Sequence, residues 1–355
     1  SAILGARVED RYFLQKVKLG QGSFGTVWRA VDRQSDEVVA IKQLDKAQMP
    51  RRGVRQADIE REVTVMQAVV HENITRILGS FEDHTSIYIA LEYCDGGDFG
   101  DKVREKGLNL KETEAAEWMR QIISAIAALH AKNVCHRDIK PDNFMVTGES
   151  AVLKLSDFGL ALFLPRGRLL TEKCGTPAFM APEQHKLPRH SRGYTNICDV
   201  WAAGVAMYML MFGGSHPFLM NGSQLDERRL LGGQMDFNVS QGFLGFGAVE
   251  TRYSEGARRL CRRLAEPDPA KRASAEACRE DPWLQSLAAP PTSRPQMRRQ
   301  GTLEFGGQPA PQGAPAAGAP IRQPPQGGEE SFHIAGCMPL ARGPPAAPAA
   351  AAAPP

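Results

Sequence analysis

Gly20, Gly22 and Gly25 punctuate the stretch LGQGSFGTV, a spacing that lets backbone N–H groups approach phosphate oxygens with no Cβ in the way. The same G-x-G-x-x-G spacing also fits a dinucleotide-binding turn, but such a turn should open a helix. Here Thr26, Val27 and Trp28 follow, β-branched and aromatic residues suited to a second strand, so a glycine-rich hairpin over phosphates is expected. Downstream, VVAIK ends a strand on Lys42, and its neighbours Val39, Ala40 and Ile41 suggest burial, where an amine needs a carboxylate partner. REVTVM, on the following helix, offers Glu62, with Glu60 two residues earlier as a competitor. The densest run of chemically capable side chains is HRDIKPDNF, His136 to Phe144, followed by SDFG, Ser156 to Gly159.

The elements that must position these groups fall into two parts. Up to about residue 90, short β-rich runs (VWRAVD, EVVAIKQL, SIYIALEY) alternate with one helical stretch from about Ala57 to Val70. From Glu112 the pattern turns helical, with apolar residues at three- and four-residue spacing in EAAEWMRQIISAIAALH. The apolar run Val200 to Phe212 is shorter than the ~20 residues of a membrane span and is expected to be a core helix. After Leu284 the composition shifts to Pro, Ala, Gly and Gln, too poor in large apolar residues to offset ordering entropy, so a disordered tail over 287–355 is expected.

Composition narrows the function classes. A chain of 355 residues with 42% hydrophobic and 23% charged residues can bury a sizeable core. A net charge of +3 gives no reason to expect a nucleic-acid or membrane partner. Seven scattered cysteines without a CxxC pair indicate neither a disulfide framework nor a zinc site, and a reducing intracellular, cytoplasmic setting fits them. No basic-then-apolar secretory stretch opens the chain.

Taken in order over about Tyr12 to Leu284, the glycine loop, AIK, the helix glutamate, HRDIKPDN, DFG, Ala181 to Glu183 (APE), Asp199 to Trp201 (DVW) and Arg272 resemble the eukaryotic-type serine/threonine protein kinases. The resemblance implies an α+β, bilobal fold: a small antiparallel sheet lobe with one helix (about 11–92, after a lead-in at 1–10) and a larger, mainly helical lobe (about 95–286). It implies the substrate ATP with Mg²⁺, or Mn²⁺, as cofactor. Moving a γ-phosphoryl group demands positioning and charge neutralisation more than covalent chemistry. By the family's pattern Asp138 takes or orients the acceptor hydroxyl proton, Lys140 reaches the transferring phosphate, and Asn143 and Asp157 hold the metal. Lys42, fixed by Glu62, contacts the α and β phosphates. Adenine is assigned to Val27 and Ala40 above and Met145 below, with backbone bonds from Glu92 to Cys94, Leu91 limiting the depth and Asp98 at the ribose edge. Two readings follow, an active kinase or a pseudokinase serving as a binding or scaffold module; the complete set Lys42, Asp138, Asn143 and Asp157 favours the first.

Arg137 precedes the catalytic aspartate, and in such relatives a phosphorylated loop residue commonly neutralises it. Glu172 stands four residues before Thr176, beside Thr171, as an acid does in calcium-dependent protein kinases. One carboxylate carries less charge than the ~1.5 to 2 of a phosphothreonine, so partial ordering without an upstream kinase is expected, the alternative being a solvated glutamate. Thr176 is expected to be structural, near Asp138 and Lys140. The likeness is to the calcium- and calmodulin-regulated branch, yet the sequence has neither an EF-hand loop nor a basic amphipathic calmodulin target. Asp98 and Asp142 are expected to select an arginine three residues before the acceptor, and Cys174, Pro177 and Met180 an apolar residue after it. Protein substrates with basic motifs are the expected partners. Arg299, Thr302 and Leu303 of the tail match that pattern, which makes Thr302 a candidate for autophosphorylation, a docking site or plain linker.

Overall fold

The computed structural model describes residues 7–22, 25–148, 151–237 and 253–287. Ser23 and Phe24 of the glycine loop, the tail expected to be disordered, and Thr302 lie outside the described residues.

The first part is a five-stranded antiparallel sheet in the order β1-β2-β3-β5-β4 with one long helix. A single turn, α1 (Val8–Arg11), leads into β1 (Tyr12–Gly22), β2 (Gly25–Asp32) and β3 (Val38–Asp45); α2 (Gln56–Ala68), β4 (Ile77–Glu82) and β5 (Ser86–Glu92) follow. Side chains alternate across a strand, so β3 sends Val39 and Ile41 to a core with Tyr12, Ala30 and Phe81 on one face. Leu44, on the opposite face, packs with Ile59 of α2, Ile87 and Ile89. Lys42 shares the Leu44 face and so points toward α2.

Three details depart from the sequence reading. β3 runs past Lys42 to Asp45, because Gln43, Leu44 and Asp45 remain paired with Tyr88, Ile87 and Ser86 of β5. The helix expected over Ala57 to Val70 ends at Ala68, with Val69 extended and Val70 exposed. Val8, inside the expected lead-in, is buried in the core of the sheet.

The second part is built on α3 (Phe99–Lys106), α4 (Glu112–Ala131), the short strands β6 (Val134–Cys135), β7 (Phe144–Thr147), β8 (Val152–Leu155) and β9 (Leu162–Phe163), α5 (Pro182–His185), α6 (Ile197–Met211), α7 (Glu227–Leu231), α8 (Glu255–Leu264), α9 (Ala275–Arg279) and α10 (Pro282–Ser286). The apolar stripe of α4 buries Met119, Ile122, Ile123 and Ile126 against the main core. α6 is buried nearly all round, as its continuous apolar run predicts, and Trp201 stacks on Phe218 at 5.7 Å. Gly204 permits the close approach of α6 to the end of α8: a Cβ there would sit 2.7 Å from the Ala265 N. This two-part α+β architecture is the one expected. Among the described residues no helix is long and apolar enough to cross a membrane.

One buried ion pair ties α5 to the stretch before α9. Arg272 donates to both Glu183 oxygens (2.7 and 3.0 Å), to the Glu266 carbonyl (2.7 Å) and to the Ile197 carbonyl (3.1 Å). Its guanidinium also lies over the Trp201 ring at 5.4 Å. Removing it strands a buried carboxylate and two carbonyls, so Arg272→Ala is predicted to lower unfolding free energy by ~3–5 kcal/mol in urea titrations. A loss below ~1 kcal/mol, the scale of a surface pair, would show that the pair is dispensable.

Candidate active site

The cleft between the sheet and the helical part is assembled from three buried charge arrangements. On the sheet side, Lys42 Nζ lies 2.6 Å from Glu62 Oε1. Of the two glutamates on α2, Glu62 is buried, while Glu60 is exposed and bonds Gln56 and Thr64. Helical geometry makes this choice, since residues two apart point to nearly opposite sides. Burial works against the Lys42 charge, but the carboxylates of Glu62 and Asp157 outweigh it and hold its pKa above the ordinary lysine value. The glycine hairpin pairs Gly20 with Val27 and Gly22 with Gly25. Gly25 has a packing reason of its own, because a Cβ there would fall 1.8 Å from the Gln43 carbonyl oxygen of β3.

On the helical side, the loop from His136 to Asn143 hangs from Asp199 at the start of α6. Its Oδ2 accepts from the His136 N–H (2.9 Å) and its Oδ1 from the Arg137 N–H (2.9 Å). His130 Nε2 lies 3.1 Å from Oδ2. Burial opposes the Asp199 charge, yet His130 and His136 outweigh it and keep its pKa below the usual carboxylate value. Pinned this way, Arg137 takes a left-handed φ of 69°, and the His136 ring meets Phe158 edge-on at 5.0 Å.

Asp138 projects from this loop with both oxygens engaged. Oδ1 accepts from the Thr176 N–H (2.8 Å) and hydroxyl (2.7 Å); Oδ2 accepts from Asn143 Nδ2 (3.0 Å) and pairs with Lys140 Nζ (3.1 Å). Lys140 in turn donates to the Thr176 hydroxyl at 2.9 Å. The Asn143 amide nitrogen also donates to the Asp138 carbonyl at 2.6 Å, which turns the amide oxygen away from these bonds. Asp157, at a left-handed φ of 56°, presents a carboxylate beside Lys42 that accepts no hydrogen bond among the described residues. An amide oxygen and an open carboxylate form a hard donor set of the kind that suits Mg²⁺.

Leu91 pairs with Ala40, and Val27 with Lys42, in the sheet above the cleft. Below, the segment after β5 docks on β7: Gly96 N–H donates to the Val146 carbonyl and Val146 N–H to that of Gly97, both at 2.9 Å, and Asp98 bridges Met145. The Cys94 N–H and carbonyl have no hydrogen bond among the described residues, so they can serve a ligand edge. Burial pushes the Cys94 thiol up to about 12. Glu92 is held by Lys154 (3.0 Å) and the Arg76 N–H (2.6 Å). Asp98 caps α3, and its pKa is raised to about 6 by burial and then by the carboxylates of Asp142 and Asp101. Asp98 and Asp142 face each other across Gly100, whose missing Cβ would lie 2.9 and 3.0 Å from their oxygens.

Around the loop, Arg137 Nη1 meets Glu172 Oε2 at 3.0 Å while its Nε donates to the Leu160 carbonyl at 2.7 Å. Tyr194 OH donates to the Glu172 carbonyl at 2.7 Å. Thr171 is exposed beside them. Cys174 is half-buried 3.7 Å from the Tyr194 hydroxyl, and burial raises its thiol pKa, which disfavours the reactive thiolate. Sequence reasoning missed His130 and the facing thiols of Cys135 and Cys198, 3.6 Å apart beside Asp199. Those thiols have burial-raised pKa values and the carboxylate already serves three donors, so the trio is packing, not a cation site. A separate cavity of about 500 Å³, lined by Lys46, Met49, Val54 and Ile87 among others, lies away from all these groups.

Comparison with known proteins agrees with this geometry. The protein kinase domain family matches residues 13–284. Calcium-dependent protein kinase 10 of Arabidopsis thaliana is 33% identical over 288 residues, covering 80% of this chain and 50% of that protein. Calcium-dependent protein kinase 9 of Oryza sativa subsp. japonica is 35% identical over 288 residues (80% and 47%), and calcium-dependent protein kinase 4 of Arabidopsis thaliana 35% over 288 (80% and 54%). The chain spans about half the length of the curated relatives it matches. With the motifs in order and their side chains converging on one cleft, the chain belongs to the protein kinase domain family.

Proposed function

We propose that the chain is a protein serine/threonine kinase, transferring the γ-phosphoryl group of ATP to hydroxyls of protein substrates. The observation that carries this reading is the convergence of the Lys42–Glu62 pair and Asp157 on one side of the cleft with Asp138, Lys140 and Asn143 on the other. A pseudokinase would be expected to lack one of these.

In the proposed reaction the glycine hairpin and Lys42 hold the phosphates, with Glu62 keeping the ammonium charged and in place. Asn143 through its amide oxygen and Asp157 through its open carboxylate would hold Mg²⁺, which when bound supplies positive charge against the triphosphate. Asp138 aims the acceptor hydroxyl and takes its proton as the oxygen bonds to phosphorus and the bond to ADP breaks. Lys140, bonded to both Asp138 and Thr176, neutralises charge on the transferring group. The paired carboxylates of Asp98 and Asp142 support a preference for arginine three residues before the acceptor, and Cys174, Pro177 and Met180 one for an apolar residue after it. Thr302, with Arg299 and Leu303 around it, is on this reading a site of self-modification.

The Arg137–Glu172 pair supports basal activity without an added loop phosphate. Its weight is limited by exposure, since 58% of the Glu172 side chain faces solvent while only 3% of Arg137 does.

Three outcomes are expected. Asp138→Asn leaves the circular dichroism spectrum unchanged and lowers transfer of labelled phosphate from Mg-ATP by ~10²–10⁴-fold; unchanged turnover would remove Asp138 from the mechanism. Glu172→Ala in dephosphorylated enzyme lowers turnover several-fold, and equal rates would reject its ordering role. Because the Asp98 pKa is raised to about 6, its charge is present above that pH and lost below it. KM for a peptide with arginine at the third position before the acceptor should therefore rise between pH 7 and pH 5, and Asp98→Asn should flatten that rise.

A further inference from the structure

Five cationic side chains at the far end of the proposed substrate path have no acidic partner. Arg166 and Arg168 lie on the segment leading to Thr171, and Lys186, Arg189 and Arg192 on the segment between α5 and Tyr194; all are exposed. None is given an ion pair among the described residues. That is unusual on this surface, where most basic side chains are matched: Arg104 with Asp101, Arg262 with Glu255, Arg279 with Glu276. The carboxylates of the adjoining elements are already committed. Glu172 pairs with Arg137, Glu183 with Arg272, and Glu227 lies 3.7 Å from His185 Nδ1.

The backbone brings the two segments together. Leu170 and Tyr194 exchange hydrogen bonds of 2.8 and 2.9 Å. Gly193, at φ 138°, presses so closely that a Cβ would lie 2.6 Å from both the Leu169 Cβ and the Leu170 carbonyl oxygen. Arg168 and Arg192 are the chain neighbours of Leu169 and Gly193, so the contact sets them beside each other. The same surface continues into the proposed pocket for the residue after the acceptor. His185 Nε2 bonds the Pro177 carbonyl at 2.9 Å, Lys173 Nζ donates to the His185 carbonyl at 3.2 Å, and Lys186 is the next residue. An extended peptide advances ~3.3 Å per residue, so the residues two to four places after an acceptor at Asp138 pass from that pocket onto Lys186, Arg189 and Arg192.

We propose that this unpartnered basic surface recognises acidic residues two to four places downstream of the acceptor, making the substrate class Arg-x-x-Ser/Thr-apolar followed by glutamates or aspartates. The inference rests on the kinase reading above and adds a second determinant on the opposite side of the acceptor from Asp98 and Asp142. Recognition here is by exposed charges, so it is screened by salt and acts mainly on peptide affinity.

The test uses the full chain and two fluorescein-labelled peptides, RRQGTLGGG and RRQGTLEEE, with affinity read by anisotropy and phosphate transfer read in parallel. The glutamate peptide should bind about tenfold more tightly at low salt, the scale of two or three exposed ion pairs, and lose that advantage as NaCl is added. The triple variant Lys186→Glu/Arg189→Glu/Arg192→Glu should abolish or invert the preference while binding the glycine peptide within about twofold of the parent. Should the triple variant not fold, Arg189→Ala/Arg192→Ala carries the same comparison, with a reduced preference expected. Equal affinities for the two peptides, or a preference that survives the substitutions, would overturn the proposal. Tighter binding of the glutamate peptide with no phosphate transferred to either would leave the surface standing and reject the kinase reading; equal transfer at equal affinity would do the reverse.

Discussion

A buried carboxylate governs this molecule. Asp199 sits in the apolar interior of the helical part, where its charge is tolerated only if donors surround it. Those donors are the backbone N–H groups of His136 and Arg137 together with the ring of His130. Answering one charge in the core therefore fixes the start of the loop that carries Asp138, Lys140 and Asn143. The left-handed turn at Arg137 is held by the same bonds, and it aims the guanidinium at Glu172 and the Leu160 carbonyl. Fold stability and the placement of the reacting groups are thus a single problem with a single solution.

Charge pairing extends that logic across the cleft. Lys42 stays an ammonium despite burial because Glu62 and Asp157 face it, so the position of α2, which carries Glu62, is coupled to the segment that carries Asp157. Thr176 performs the equivalent service on the other side, donating to Asp138 and accepting from Lys140. The stretch from Glu172 to Thr176 is therefore joined to the catalytic loop at both ends. A change of charge near Thr171 would reach Asp138 through Arg137 and Thr176, two contacts already formed.

Much of this was legible in the sequence, for identifiable reasons. Short motifs with fixed spacing revealed the Lys42, Asp138, Asn143 and Asp157 set, and apolar periodicity revealed α4 and α6. Sequence alone could not choose between Glu60 and Glu62, because the choice depends on which side of α2 meets β3. β1 and β4 were obscure since their alternation is broken by irregular pairing after Leu14 and Lys18 in one and after Ile77 in the other. The pairing of His130 with Asp199, 69 residues apart, leaves no local pattern at all. Nor does the basic surface, since Arg168 and Arg192 become neighbours only through the Leu170–Tyr194 bridge.

The central claim is that these pinned groups form one site for a nucleotide and a metal ion together. Calorimetric titration of ATP into the parent protein and into Asp157→Asn, each with and without Mg²⁺, tests it most directly and requires no turnover. The account predicts tight binding to the parent that depends on Mg²⁺ and a loss of that dependence in the variant. ATP affinity that ignores the metal in both proteins, or is absent from the folded parent, would contradict it.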